Sequence, residues 1–185
     1  LMPVQIVLLQ LLIDPTCAVV LEAEPEASGS MERPPRPVSD SPFGIAPLVY
    51  SVLQGMGMAA VLLAGQAWLA DQGWDSAQSR TVVFGTLVLC VMLLILANRD
   101  LSRPTLLGVT RPNPWLWRIA AAMLVLLVAV LGIPWLRALM GLALPGPQGM
   151  VVAAGLLVLC LAWLELLRLA GPRLVRTQPP GCGAG

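Results

Sequence analysis

The sequence contains no lysine and no histidine; all 11 of its basic residues are arginine. These absences remove whole classes of chemistry. A Walker-type phosphate loop needs its lysine, a Schiff base needs a lysine, and a His-dependent triad or zinc site needs histidine. Charge of either sign is scarce: 11% of 185 residues, less than half of the roughly 25% usual in a soluble domain. A net charge of +1 gives no reason to expect nucleic acid as a partner. Cysteine is confined to positions 17, 90, 160 and 182, without a CxxC spacing, so neither a disulfide framework nor a metal cluster is indicated. Cys17, Cys90 and Cys160 lie in apolar runs, where a thiol packs as a small hydrophobe.

Hydrocarbon is abundant. The chain is 57% hydrophobic, and its mean hydropathy is +0.82. Lipid supplies the apolar surroundings such a chain needs, and the expected fold is an all-α polytopic membrane bundle with five transmembrane helices. The apolar segments cover about 1–21, 46–70, 81–97, 119–139 and 149–168, each close to the length that crosses about 30 Å of hydrocarbon as a helix. The fourth contains Gly132 and Pro134, which predict a kink or an end near IPWL. Leu1 opens inside an apolar run with no basic n-region or cleavage site, so the first segment reads as a span and the start as a cut through a longer protein. The domain is expected over 1–176, with a Gly/Pro-rich, disordered tail at 177–185.

Five spans place alternate loops on opposite sides. Arg33, Arg36, Arg99, Arg103, Arg111, Arg118, Arg168, Arg173 and Arg176 fall on one side, and only Arg80 and Arg137 on the other. That asymmetry places the 22–45 loop, the 98–118 loop and the C-terminus in the cytoplasm of a multi-pass plasma-membrane protein. Trp68, Trp74, Trp115 and Trp117 stand near segment boundaries, as an interfacial aromatic belt requires. Ser51, Gly55 and Ala59 form a small-residue stripe of the kind used in ordinary helix packing.

The stretch LLQLLIDPTCAVVLEAEP (8–25) departs from this pattern. Asp14 precedes Glu22 by eight residues, which puts it about 12 Å inside the cytoplasmic edge, near mid-membrane. A charge there costs at least about 2.5–3.5 kcal/mol, and such residues normally face a bundle interior or a water path. Pro15 has no N–H, so the carbonyl of Leu11 loses its usual partner, and the helix is expected to break there. Gln10 lies one i,i+4 step before Asp14, and Thr16 adds a hydroxyl beyond the expected break. Carboxylate, amide, hydroxyl and bare carbonyl are the oxygen ligands of hard cations, so Asp14, Gln10, Leu11 and Thr16 form the candidate metal site. The alternative is a non-catalytic helical module, or a degenerate remnant, in which Asp14 is structural. Glu165 is the other acid within a span, and Arg168 three residues on marks it for a helix-surface ion pair. A single deep acid is too few for an intramembrane aspartyl protease.

The run QLLIDPTCAVVLEAEP, with MERPPRP at 31–37, resembles the sixth membrane helix and following loop of P-type cation-transporting ATPases of the calcium-pump type. LILANRDLSRP (94–104) and RPNPWLWR (111–118) resemble the eighth helix and next loop in a bacterial branch. The resemblance implies helices six to ten of such a pump in a bacterial inner membrane, with Asp14 as the ion-binding acid. Gln10 stands where the family has an asparagine ligand, and Ile13, where it has a threonine, offers no side-chain ligand. Calcium, magnesium, manganese and monovalent ions therefore all stay open as cargo. The phosphorylated Asp of DKTGT, the TGE motif, the nucleotide domain and the fourth helix are absent from the sequence. The chain itself thus needs no cofactor. The implied partners are the lipid bilayer, the transported cation, and the N-terminal helices and Mg-ATP-binding cytosolic domains of the same pump.

Overall fold

A computed structural model describes residues 3–22, 45–99 and 114–175. Six helices follow one another: α1 (Pro3–Glu22), α2 (Ile45–Asp71), α3 (Ser76–Arg99), α4 (Pro114–Gly132), α5 (Pro134–Leu139) and α6 (Pro147–Val175), with no strand among the described residues. Windows in α2, α3, α4 and α6 are long and apolar enough to cross a membrane. The 20 residues of α1 add a fifth helix about 30 Å long. The 177–185 tail, the acidic Glu24 and Glu26, and the MERPPRP loop lie outside the described residues.

Turn chemistry sets the hairpins. Gly73 adopts φ +73° after α2, its N–H bonding Ala70 O and that of Trp74 bonding Leu69 O. This is a Schellman closure, which satisfies the last carbonyls of a helix and favours glycine at its left-handed residue. Two residues on, Asp75 Oδ2 accepts from the N–H groups of Ala77 (3.0 Å) and Gln78 (3.4 Å) and caps α3. The same closure recurs after α5, where Gly141 has φ +59° and Leu142 N–H bonds Arg137 O.

The fourth segment ends earlier than 139. α4 stops at Gly132, and Ile133 is extended (φ −86°, ψ 113°), the conformation a following proline imposes. α5 is a separate short helix, and Arg137 returns to the end of α4, donating to Leu131 O at 2.9 Å. The expected break at Pro15 is not found: α1 runs through it as one helix. Neighbouring helices make a proline tolerable inside a membrane helix, so its missing N–H need not unwind the chain.

α3 is the axis of the bundle. Its membrane window is 56% buried, against 22, 17 and 22% for those of α2, α4 and α6. α1 and α4 pack on one side of it through Leu9, Phe84, Val88, Val91, Leu116, Met123 and Val130. α2 and α6 pack on the other through Met58, Cys90, Cys160 and Leu164. Among the described residues α1 touches neither α2 nor α6. The α2–α6 contact depends on glycine: a Cβ on Gly57 would fall inside the Trp163 indole, and one on Gly65 would lie 2.6 Å from Leu156. Gly55, in the small-residue stripe, meets nothing, so the close approach uses Gly57 and Gly65 instead.

Candidate cation site

α1 sits against α3 and α4 by its Leu9 face, with Val4, Leu8 and Ile13 packed around it. The opposite face is open. Ile6, Val7 and Leu11 are 55, 67 and 69% exposed, and Gln10 and Ala18 are exposed with them. With 3.6 residues per turn, position 14 falls about 40° from position 10 and about 20° from position 7. It therefore shares the register of the open face. The described side chains of α1 do not include Asp14, Pro15, Thr16 or Cys17.

The structure thus brings Gln10, the Leu11 backbone and position 14 onto one face of one helix. No carboxylate from another described helix joins them, and no group of three metal-ligating acids, thiols or imidazoles occurs among the described residues. Glu165 is engaged as its spacing indicates: Arg168 Nε donates to Glu165 Oε2 at 2.7 Å on α6. Ile13 is half-buried and turned to the apolar core, which accounts for a hydrocarbon side chain at that position. Cys90 and Cys160 are fully buried packing residues. Trp68, Trp115 and Trp117 are exposed as belt residues are, whereas Trp74 packs against the Leu62, Leu69 and Val82 cluster.

The sequence matches the profile of the family described as cation transporting ATPase, C-terminus, over residues 1–170. The chain belongs to that family. It is the membrane part of a P-type cation ATPase. A comparison with curated proteins gives no match.

Three polar residues of this ATPase domain were passed over in the sequence. Gln5 is 0% exposed, and its Nε2 donates to Met140 O at 2.8 Å. Thr81 joins α3 to Ala143: its Oγ1 accepts from Ala143 N–H at 3.0 Å and lies 2.8 Å from both Ala77 O and Ala143 O, to one of which it donates. Gln54 is 2% exposed, and its Nε2 has no partner. The available signal was an amide or hydroxyl inside an otherwise apolar run, which must find a partner in the membrane or remain costly.

Proposed function

We propose that this domain contributes one side of a mid-membrane cation site, with Asp14 as the charged ligand and Gln10 and the Leu11 carbonyl as neutral oxygens; Thr16, two positions on in an unbroken helix, falls about 160° round from Asp14 and leaves the set. The observation that supports it is the face of α1. A helix seated on α3 and α4 by its apolar residues keeps the register of its one deep acid for surfaces that the described helices do not supply. Such an arrangement is a half-site, completed by other helices of the pump. The oxygen set suits a hard cation, calcium, magnesium or similar, and Ile13 removes one ligand from the calcium-pump pattern.

The role of this chain is then to bind and release the cation as the helices shift. Energy comes from Mg-ATP hydrolysis in cytosolic domains beyond this sequence. Pro15 leaves the Leu11 carbonyl without its helical donor even in an unbroken helix, so that oxygen is available without unwinding. In this reading the 22–45 loop, the 98–118 loop and the C-terminus face the cytoplasm of a plasma membrane, a bacterial inner membrane.

The test is Asp14→Asn in the pump that carries this domain. Asparagine keeps the shape and an oxygen but removes the charge. Cation-stimulated ATP hydrolysis is expected to fall at least tenfold, and Gln10→Leu to raise the cation concentration required. Unchanged cation stimulation in Asp14→Asn would make Asp14 structural and leave the domain a packing module.

A further inference from the structure

Among the described residues α1 and α2 both pack on α3 and do not touch each other. A cavity of about 640 Å³ opens along α3, lined by Leu62, Leu63 and Gln66 of α2 and by Arg80, Val83 and Leu87 of α3. Leu87 packs against the apolar clusters on both sides of the axis. A second gap on α3 is walled by α4 and α6, through Leu127, Leu131, Gly149 and Ala153. Its α3 residues, Thr81, Gly85 and Leu89, fall about 170° round the helix from Arg80, Val83 and Leu87. The first gap is therefore a slot flanked by α1 and α2.

The slot has a polar mouth and an apolar interior. Gln66, Ser76 and Arg80 stand at the end near the α2–α3 turn, and Ala59 and Leu87 lie about 10 Å deeper. Arg80 is half-buried and donates to Ser76 O at 3.0 Å and to Ser76 Oγ at 3.3 Å. Both acceptors are neutral and belong to its own helix. No carboxylate among the described residues pairs with it, and Asp75 caps the α3 N-terminus instead. Arginines within membrane spans normally find a counter-charge or a carbonyl, because an uncompensated charge there is costly. The α2 wall is made of short side chains. Ser51, Gly55 and Ala59 are all exposed and share with Leu62, Leu63 and Gln66 a sector of about 120°. A Cβ on Gly55 would touch nothing. Gly57 and Gly65, which meet α6, lie outside that sector. Small residues let a neighbouring helix approach closely, and lipid tails need no such stripe.

We propose that the slot seats one more transmembrane helix of the pump, which lies against the Ser51–Gly55–Ala59 stripe and carries an aspartate or glutamate level with Arg80. The Ser76 bonds occupy the Nε–Nη2 edge of the guanidinium, and the carboxylate meets the Nη1–Nη2 edge, as a two-point pair. The seated helix bridges α1 and α2, which have no contact of their own among the described residues. The seat rests on the reading above only in that further helices of the pump are present; it does not need Asp14 to bind a cation.

The test places the photo-crosslinking residue benzoylphenylalanine at Leu63 of the full pump in its native membrane, and maps the adducts by mass spectrometry. Adducts are expected on a segment of the pump outside residues 1–185. Val125 of α4, 67% exposed, is the control position and should label lipid. Gln66 lines the same slot and serves if the Leu63 variant does not assemble. Adducts on lipid alone at Leu63 would overturn the seat and make the slot a phospholipid groove, with Arg80 at the phosphate. Adducts confined to residues 1–185 would overturn it equally. The charge is tested by Arg80→Glu, which should lower ATP hydrolysis about tenfold through like-charge repulsion. Changing the acid of the mapped helix nearest the adduct to arginine should restore it. An unchanged rate in Arg80→Glu, or no restoration from any acid of that helix, would overturn the ion pair. Asp14→Asn run in parallel separates the two ideas. Lost cation stimulation with lipid adducts at Leu63 keeps the ion site and removes the seat. Retained stimulation with helix adducts removes the Asp14 role and keeps the seat.

Discussion

Two glutamines buried in the bundle differ in their side-chain donors: Gln5 Nε2 has a partner, and Gln54 Nε2 does not. Gln5→Leu removes the donor from Met140 O and leaves a buried carbonyl orphaned, a loss of about 1–3 kcal/mol. Gln54 Nε2 already lacks a partner, so Gln54→Leu trades an unmade hydrogen bond for apolar contact and should change stability by less than about 0.5 kcal/mol, or raise it. Thermal unfolding of the domain in detergent measures both, and equal losses would contradict the assignment. Glycines give a similar contrast. Gly57→Ala drives a methyl into the Trp163 indole and should cost about 1–3 kcal/mol by overpacking. Gly55→Ala meets open space and should be neutral. The sequence favoured the opposite glycine, since a Ser51–Gly55–Ala59 stripe is visible as spacing whereas the tryptophan that fills the notch at Gly57 lies 106 positions away. Contacts made across such distances have no local signature.

Elements were the legible scale, and prolines mark where that legibility ended. Length and hydropathy suffice for five membrane helices, because lipid demands about 20 apolar residues whatever the packing. Pro134 was correctly read as an end, since Gly132 weakens the helix just before it and Ile133 is free to extend. Pro15 was misread as a break: α1 packs on α3 and α4 through Leu9 and Ile13 just before the proline, and continues through it as one helix. The DQGWD turn shows the converse. Its Gly73 and Asp75 carry a complete helix stop and start, and turn chemistry rather than hydropathy would have placed α3 at Ser76 in place of 81. The same logic yields a prediction for Pro15→Ala, which returns an N–H to the Leu11 carbonyl. The helix should gain up to about 3 kcal/mol, read as a higher melting temperature. If that carbonyl serves the cation, cation-stimulated ATP hydrolysis in the pump should fall at the same time. A rise in stability with full activity would take Leu11 out of the ligand set.

At the scale of the whole molecule the bundle is two pairs hung on one axis. α2 and α6 interlock through Gly57, Gly65 and Trp163, whose Nε1 donates to Leu53 O at 3.1 Å. α1 and α4 pack on the opposite side of α3, and among the described residues no contact runs from α1 to α2 or α6. If α1 moves in transport, it moves with respect to α3, while α2, α3 and α6 stay together as a block. The chain carries a natural test of that division. Cys90 of α3 and Cys160 of α6 are both fully buried in the cluster that joins these two helices. Oxidising them to a disulfide with copper–phenanthroline ties two members of the block, and cation-stimulated hydrolysis should stay within about twofold of the reduced pump, a difference of roughly 0.4 kcal/mol in activation free energy. Cysteines placed at Leu9 and Val88, in the α1–α3 cluster, should on oxidation stop turnover, and reductant should restore it. The Cys90→Ala, Cys160→Ala background assigns each effect to its own pair. Inhibition by the Cys90–Cys160 bridge with tolerance of the Leu9–Val88 bridge would reverse the division, making α6 the moving helix and α1 part of the frame.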